Sequence, residues 1–316
     1  MERLRQVEPL QIFAVGFCDY NGAVNLTGLR LPPKKLGLVV KTSSPEAMAL
    51  GREVCSRVAA RGVEVVLDEQ SAAALGQAGG PPRWRLGSVV DAVLVLGGDG
   101  TFLSVTRGCP ASTPVAGVNM GTLGFLTEYP SDAVWQLVDG LLSGDVLCEE
   151  WQRLRCQLDR ENGTEDFLVL NDVVIAKGAL ARILTITVEV GGELLSHYRA
   201  DGLILATPTG STAYNLSAGG PIVHPSLPAL IITPICPHTL SNRPLVVPIS
   251  STVTVRVQPG DEDAFLTLDG QYGLPLNCKQ VVRVLPKAEP LSIVRPQGLS
   301  FFALLHNKFK WGDWGS

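Results

Sequence analysis

Five consecutive residues, Gly97-Gly98-Asp99-Gly100-Thr101, follow a continuous apolar run from Ala92 to Leu96. Such a run reads as a buried parallel strand, and ligands of open α/β sheets bind where strands end. The glycines allow a sharp turn and a close backbone approach, and amides there can hold phosphate oxygens. Asp99 stands in the middle, where a carboxylate repels phosphate unless it has a task. It would accept a proton from an attacking hydroxyl, hold a magnesium ion, or merely cap the next helix. No Gly-Lys-Ser/Thr follows, so this is not a Walker loop, and the spacing is not that of a GxGxxG fingerprint.

Three further segments carry polar chemistry. Gly117 to Gly124 places three glycines after a second apolar run, as a nucleotide crevice or a plain loop would. Asn171-Asp172 interrupts a β-branched stretch although both residue types are poor strand formers. The pair would bridge a ribose diol, or mark a bulge or strand end. The run from Tyr198 to Pro221 delivers Thr207, Thr209, Ser211, Thr212 and Ser217 just after an apolar strand, Leu203 to Ala206, with Tyr214 as a flat face for a base. His238, among turn residues, reads first as a structural histidine, and Asp269-Gly270 reads as a turn.

The elements that must position these residues divide the chain in two. Leu36–Val40, Val63–Leu67, Ala92–Leu96 and Pro114–Val118 are apolar strand signals. Ser44-Pro45 is an N-cap followed by a first-turn proline, and Leu50, Val54 and Val58 share a helical face that ends at Arg61-Gly62. Strand–helix–strand alternation predicts a doubly wound α/β domain. After about residue 150 the signals become short and β-branched: Phe167–Ile175, Ile183–Val190, Leu203–Ala206, Thr252–Val257, Phe265–Leu268 and Val281–Leu285. Gly191-Gly192 marks a hairpin, and the pattern predicts a mostly antiparallel, sandwich-like domain. The expected boundaries are an N-terminal extension at 1–33, the α/β domain at 34–148, the β-rich domain at 149–292, and a segment at 293–316 that returns to the first domain with a last helix.

Bulk properties exclude some functions. With 316 residues, two domains are the natural expectation. A net charge of −4 and a pI of about 5.6 do not suit a nucleic-acid binder. No apolar run is long enough to span a bilayer, and the N-terminal stretch lacks a clean signal-peptide pattern. Seven cysteines, odd in number and widely spaced without a Cys-x-x-Cys pair, argue for reduced thiols in a cytoplasmic protein.

Taken together, GGDGT at 97–101, NDVVI at 171–175, ADGLILATPTGSTAYNLSAGGPIV at 200–223, ICPHTLSNRPLV at 235–246 and DGQ at 269–271 resemble the NAD kinase family, in the same order and across about residues 36–296. GGDGT alone is shared with phosphofructokinases and lipid kinases. The resemblance implies transfer of the γ-phosphate of ATP, with magnesium or another divalent cation, to the 2′-hydroxyl of the adenosine ribose of NAD. It implies Asp99 as general base, Asn171 and Asp172 on that ribose, Thr212, Ala213 and Tyr214 around the adenine, and Thr209 as a further NAD-binding residue. Asp201 and Ser217 would place another part of the dinucleotide with help from a neighbouring subunit of a homodimer or homotetramer. Arg199 before Ala-Asp-Gly resembles members that prefer NAD to NADH. Gly97, Gly98, Gly100 and Thr101 would hold phosphates, with no dedicated protein cage for the metal. Asp68 to Val89 falls outside the resemblance and is expected to be a variable loop. The competing readings are a lipid or sugar-phosphate kinase sharing GGDGT and a non-catalytic NAD/NADP sensor.

Overall fold

The computed structural model describes residues 29–310 except 78, 122–123, 179–181, 240 and 259–263. In chain order the first part contains β1 (Lys35–Val40), α1 (Pro45–Ala60), β2 (Glu64–Leu67), α2 (Glu69–Leu75), α3 (Arg83–Val89), β3 (Ala92–Gly97), α4 (Asp99–Thr106), β4 (Val115–Asn119), α5 (Val134–Ser143) and β5 (Leu147–Trp151). The second part contains β6 (Leu154–Arg160), β7 (Gly163–Val169), β8 (Asp172–Lys177), β9 (Leu184–Val190), β10 (Glu193–Ala200) and β11 (Gly202–Ala206). A 3₁₀ turn at Thr209–Thr212 and α6 (Tyr214–Ser217) follow, then β12 (Ala229–Ile235), β13 (Leu245–Pro248) and β14 (Val253–Val257). The chain closes with β15 (Ala264–Leu268), β16 (Tyr272–Leu276), β17 (Val281–Leu285), β18 (Leu291–Arg295) and α7 (Phe301–Phe309).

Three six-stranded sheets result. The first, ordered β2-β1-β3-β4-β18-β5, is parallel except for β5, and helices cover both its faces. Past the exposed Lys35, its central strands β1 and β3 are apolar because both faces are buried. The other two sheets, β10-β9-β14-β17-β6-β7 and β13-β12-β11-β8-β15-β16, are antiparallel and enclose one core. There Cys156, Leu158 and Val255 of one sheet meet Ile175, Leu205 and Leu266 of the other. The outer face of the third sheet is not left to solvent: Val223 and Ala218 of the polar 207–223 segment pack on Val174, Ile204 and Ile231. The α/β domain followed by an antiparallel sandwich is the expected fold.

The local rules hold where they were explicit. The Ser44 hydroxyl accepts from the Ala47 amide at the start of α1. Gly191 and Gly192, at φ of 62° and 86°, turn β9 into β10.

Three expectations need correction. Asp68 to Val89 is not a loop but carries α2 and α3. Asp68 caps α2 through the amides of Gln70 and Ser71, and Gly76 ends it in a left-handed conformation. Each helix has only seven residues, too few for periodicity to emerge. Phe167–Ile175 is two strands, since the ladder breaks at Leu170-Asn171 as the chain passes from one antiparallel sheet to the other. The crossings between domains follow Trp151 and precede Leu291, because all of β5 and β18 lies in the first sheet. Of the expected extension, residues 1–28 lie outside the described residues, while Leu29 and Leu31 pack on the first domain. Residues 311–316 of the tail also lie outside them.

Candidate active site

The glycine loop sits at the C-terminal end of β3, beside the point where the order of the parallel strands reverses. Gly98 caps α4 in extended conformation and faces open space, so a ligand can reach its backbone. A Cβ on Gly97 would come within 2.7 Å of Thr101, which therefore locks the turn. Asp99 is the first residue of α4 rather than its cap. Its carboxylate reaches sideways to the next loop: Oδ1 accepts from the amides of Leu126 and Thr127 at 3.0 Å and from the Thr127 hydroxyl at 3.1 Å. Among the described residues Oδ2 accepts only from the Phe125 amide, at 2.8 Å, and so keeps a lone pair for another partner.

The loop that orients Asp99 is itself anchored. Glu128 is buried and takes two hydrogen bonds from Arg295, 2.7 and 2.8 Å long, while the same guanidinium donates to Glu149 at 2.8 Å. Burial pushes the Glu128 carboxyl above its ordinary range, and Arg295 pulls it back. From the C-terminal side, Phe309 and Lys308 of α7 lie on the Phe125 ring. The C-terminal end of α7 thus lies on the first domain, while Phe301 and Phe302 at its start meet the His224 ring of the second. Thr209 and Thr212 share a small cavity with Phe125 and Arg295, which brings the 3₁₀ turn of the second domain beside the loop that holds Asp99. Thr122 and Leu123 of the Gly117–Gly124 segment lie outside the described residues.

Asn171 and Asp172 are clamped from two sides. The Asp269 carboxylate accepts from the amides of Leu170, Asn171 and Asp172 at 3.1, 2.6 and 3.3 Å. Asp269 and Gly270 both have positive φ, and this tight turn aims the carboxylate. Opposite, the Thr207 hydroxyl donates to the Leu170 carbonyl at 2.6 Å and accepts from the Gly210 amide. A Cβ on Gly210 would overlap the Asn171 carbonyl, so only glycine permits this contact. Asn171 Oδ1 is left buried with no hydrogen-bond partner, a cost that a bound donor would remove. Asp172 is pushed up to about 7, first by burial and then by the Asp269 charge. Gln271, next in the same turn, lies 3.9 Å from where a Gly100 side chain would begin, so this clamp abuts the glycine loop.

Other expected residues lie apart within one chain. Asp172 pairs with Ala206 at one end of β11, whereas Arg199 and Asp201 precede its other end. At about 3.3 Å per residue the separation is roughly 15 Å. Asp201 forms an ion pair with Lys177 at 2.8 Å, and the exposed His238 donates its amide to the Arg199 carbonyl. Tyr214 and Ser217 are exposed, and Ala213 and Thr212 are half-buried. Asn215 between them is wholly buried, holding Ser211, Pro221 and Thr233 together. Sequence reasoning missed Asn215 and Arg295, which carry no local signal; it singled out Thr207 as a loop hydroxyl and Asp269 as a turn residue, but not their role in anchoring Asn171.

A glycine loop at the C-terminal end of a central parallel strand, an available carboxylate oxygen beside it and a polar clamp from a second domain that abuts it define a two-domain nucleotide-dependent phosphotransferase. Comparison with known proteins narrows the class. The ATP-NAD kinase N-terminal domain matches residues 84–146 and the ATP-NAD kinase C-terminal domain matches residues 170–295. The chain belongs to the NAD kinase family. It is 44% identical over 283 residues to an NAD kinase of Geobacter sulfurreducens, covering 89% of this chain and 99% of that one. It is likewise 44% identical over 285 residues to an NAD kinase of Syntrophobacter fumaroxidans, covering 89% and 99%. Among solved structures, yeast NADH kinase complexed with NADH superposes with a TM-score of 0.81 at 26% identity, covering 89% of both chains. An NAD kinase from Archaeoglobus fulgidus in complex with ATP shares the fold, with a TM-score of 0.66 at 24% identity over 83% of this chain and 94% of that one.

Proposed function

We propose that this chain transfers the γ-phosphate of ATP to the 2′-hydroxyl of the adenosine ribose of NAD, with Asp99 as the general base. The observation that carries the roles is the lone pair left on Asp99 Oδ2 beside the glycine loop, with the unpartnered Asn171 Oδ1 in the clamp that abuts that loop through Gln271. The ribose hydroxyls would lie on Asn171 and Asp172. The 2′-oxygen attacks the γ-phosphorus, its proton passes to Asp99 Oδ2, and the bond to the β-phosphate bridging oxygen breaks to release ADP. Gly97, Gly98, Gly100 and Thr101 would hold phosphates at the start of α4, where backbone amides point outward.

Among the described residues no three histidine, cysteine, aspartate or glutamate side chains gather to hold a metal. Magnesium would ride on the donor's own phosphates, neutralising their charge. Thr209, Thr212, Ala213 and Tyr214 would receive the adenine. Arg199, Asp201 and Ser217 would meet the rest of the dinucleotide, completed by a neighbouring subunit in a homodimer or homotetramer. The buried, unpaired Cys109, Cys148 and Cys156 suit a reducing compartment such as the cytoplasm. No described helix is long and apolar enough to cross a membrane.

The test is NADP formation from NAD, ATP and magnesium, read with an NADP-specific dehydrogenase. Asp99→Asn is expected to lower turnover by about 10²–10⁴-fold while NAD still binds. A folded wild-type chain that binds NAD and makes no NADP would favour a sensor instead.

A further inference from the structure

A cavity of about 640 Å³ lies beyond the clamp. One wall is α3 with the C-terminal end of α4, and the other is β7 with β16. Trp84 stands at its rim and is 61% exposed, unusual for the largest apolar side chain. Across from it Tyr272 meets the Phe167 ring, with centroids 5.8 Å apart. Arg107 lies over Tyr272 at 5.2 Å, and its Nε is buried without a hydrogen-bond partner. Arg85 also lines the cavity, and the Arg107 charge acts on the buried Asp269 carboxylate nearby. The acidic Asp166 is already engaged by Arg155. The cavity therefore offers the aromatic rings of Trp84 and Tyr272 and the guanidinium groups of Arg85 and Arg107, the latter also within reach of the Asp269 charge. A planar heterocycle bearing an anionic chain satisfies both.

The walls are built rather than incidental. Arg83 anchors α3 through Asp68 at 2.8 Å and the Val40 carbonyl at 3.3 Å. A Cβ on Gly108 would overlap the Trp84 carbonyl, so α3 sits tightly on the end of α4. The position is equally telling. Gly100 and Arg107 are seven residues apart, two helical turns, and so share one face of α4 with a spacing of about 10 Å. Gly100 faces Gln271, and Tyr272 follows it in the chain. The glycine loop and the cavity thus lie along one edge of the domain cleft, separated by a distance that a ribose and polyphosphate chain can bridge.

We infer that this cavity seats the nucleobase of the phosphate donor, stacked by Trp84 and Tyr272, with Arg107 meeting the near end of the triphosphate. The inference rests on the kinase reading of the adjoining site. It makes the chain selective for nucleoside triphosphates over inorganic polyphosphates, which have no base to stack.

The test uses the full chain and the variants Trp84→Ala, Trp84→Phe, Tyr272→Ala and Arg107→Gln. ATP binding is measured by calorimetry without NAD, KM is measured separately for ATP and NAD, and inorganic triphosphate serves as a competitor lacking a base. Trp84→Ala and Tyr272→Ala are expected to weaken ATP binding about tenfold and to raise its KM alike. Trp84→Phe should restore most of the loss. The KM for NAD and the inhibition constant for inorganic triphosphate should stay within twofold in the aromatic variants, whereas Arg107→Gln should weaken both ATP and inorganic triphosphate. Unchanged ATP affinity in the Trp84 variants, or an equal loss for ATP and inorganic triphosphate in Trp84→Ala, would overturn the assignment. Should the wild type make no NADP, the kinase reading falls, and calorimetry with ATP still decides the cavity.

Discussion

Asp172 sets function against stability in a single side chain. Its carboxyl lies buried beside Asp269, and that surrounding lifts it from an ordinary 3.8 to about 7. Asp269 is the better supported of the two, since three backbone amides and the charge of Arg107 hold its ionised form against burial. A carboxyl whose folded value is raised favours the fold fully below its unfolded value. That contribution drains away as pH rises from about 4 to about 7. Above about 7 the fold carries a buried pair of like charges. Asp172→Asn removes the second charge and keeps the shape. The gain in melting temperature should be absent near pH 4, grow towards pH 7 and level off above it at a few degrees. Calorimetric scans from pH 4 to 8 check this, and a gain independent of pH would contradict it. The same variant should lose NADP formation at pH 8, because a carboxylate and an amide do not offer a ribose diol the same acceptors.

At the scale of elements, the crossings between domains hang on one buried residue. Arg153 lies just after β5 and is 2% exposed. It donates to the Thr106 and Cys109 carbonyls at the end of α4 and to the Glu289 and Pro290 carbonyls before β18. One guanidinium thus closes the C-terminus of α4 and ties both crossings together, in a planar fork that lysine cannot reproduce. Arg153→Met should cost about 3–5 kcal/mol by leaving those carbonyls unpaired, and thermal melting is the measurement. Arg153→Lys should recover only part. Nothing in the sequence announced this. Arg153 has no periodicity or motif, and its partners are backbone atoms 44 and 136 positions away. The elements that were legible, β1, α1, β3 and the β9–β10 hairpin, state their reasons locally through apolar runs, Ser44-Pro45 and Gly191-Gly192. The site was legible as segments, since GGDGT, Asn171-Asp172 and the 207–217 run are dense in chemistry. Its assembly was not. That Asp99 turns to the 125–127 amides, and that Asp269 rather than a strand ladder supports Asn171, depends on contacts across 26 to 99 positions.

For the whole molecule, the length of β11 poses the decisive question. Asn171 and Asp172 lie at one end of that strand, and Arg199 and Asp201 at the other. Either one dinucleotide stretches along a single subunit, or each site combines the Asp99–Asp172 end of one copy with the Asp201 end of another. Mixed oligomers separate the two. Asp99→Asn and Asp201→Asn chains, each nearly inactive alone, are co-refolded in equal amounts. With a shared site, each mixed dimer holds one site with both lesions and one with neither. Such dimers make up half the population, so about a quarter of all sites regain wild-type NADP formation. With a site confined to one subunit, every site keeps one lesion and mixing restores nothing. The exposed Tyr214 and Ser217 favour the shared site, because the surface proposed to receive the adenine lies open to solvent in one copy, where a second copy would close it.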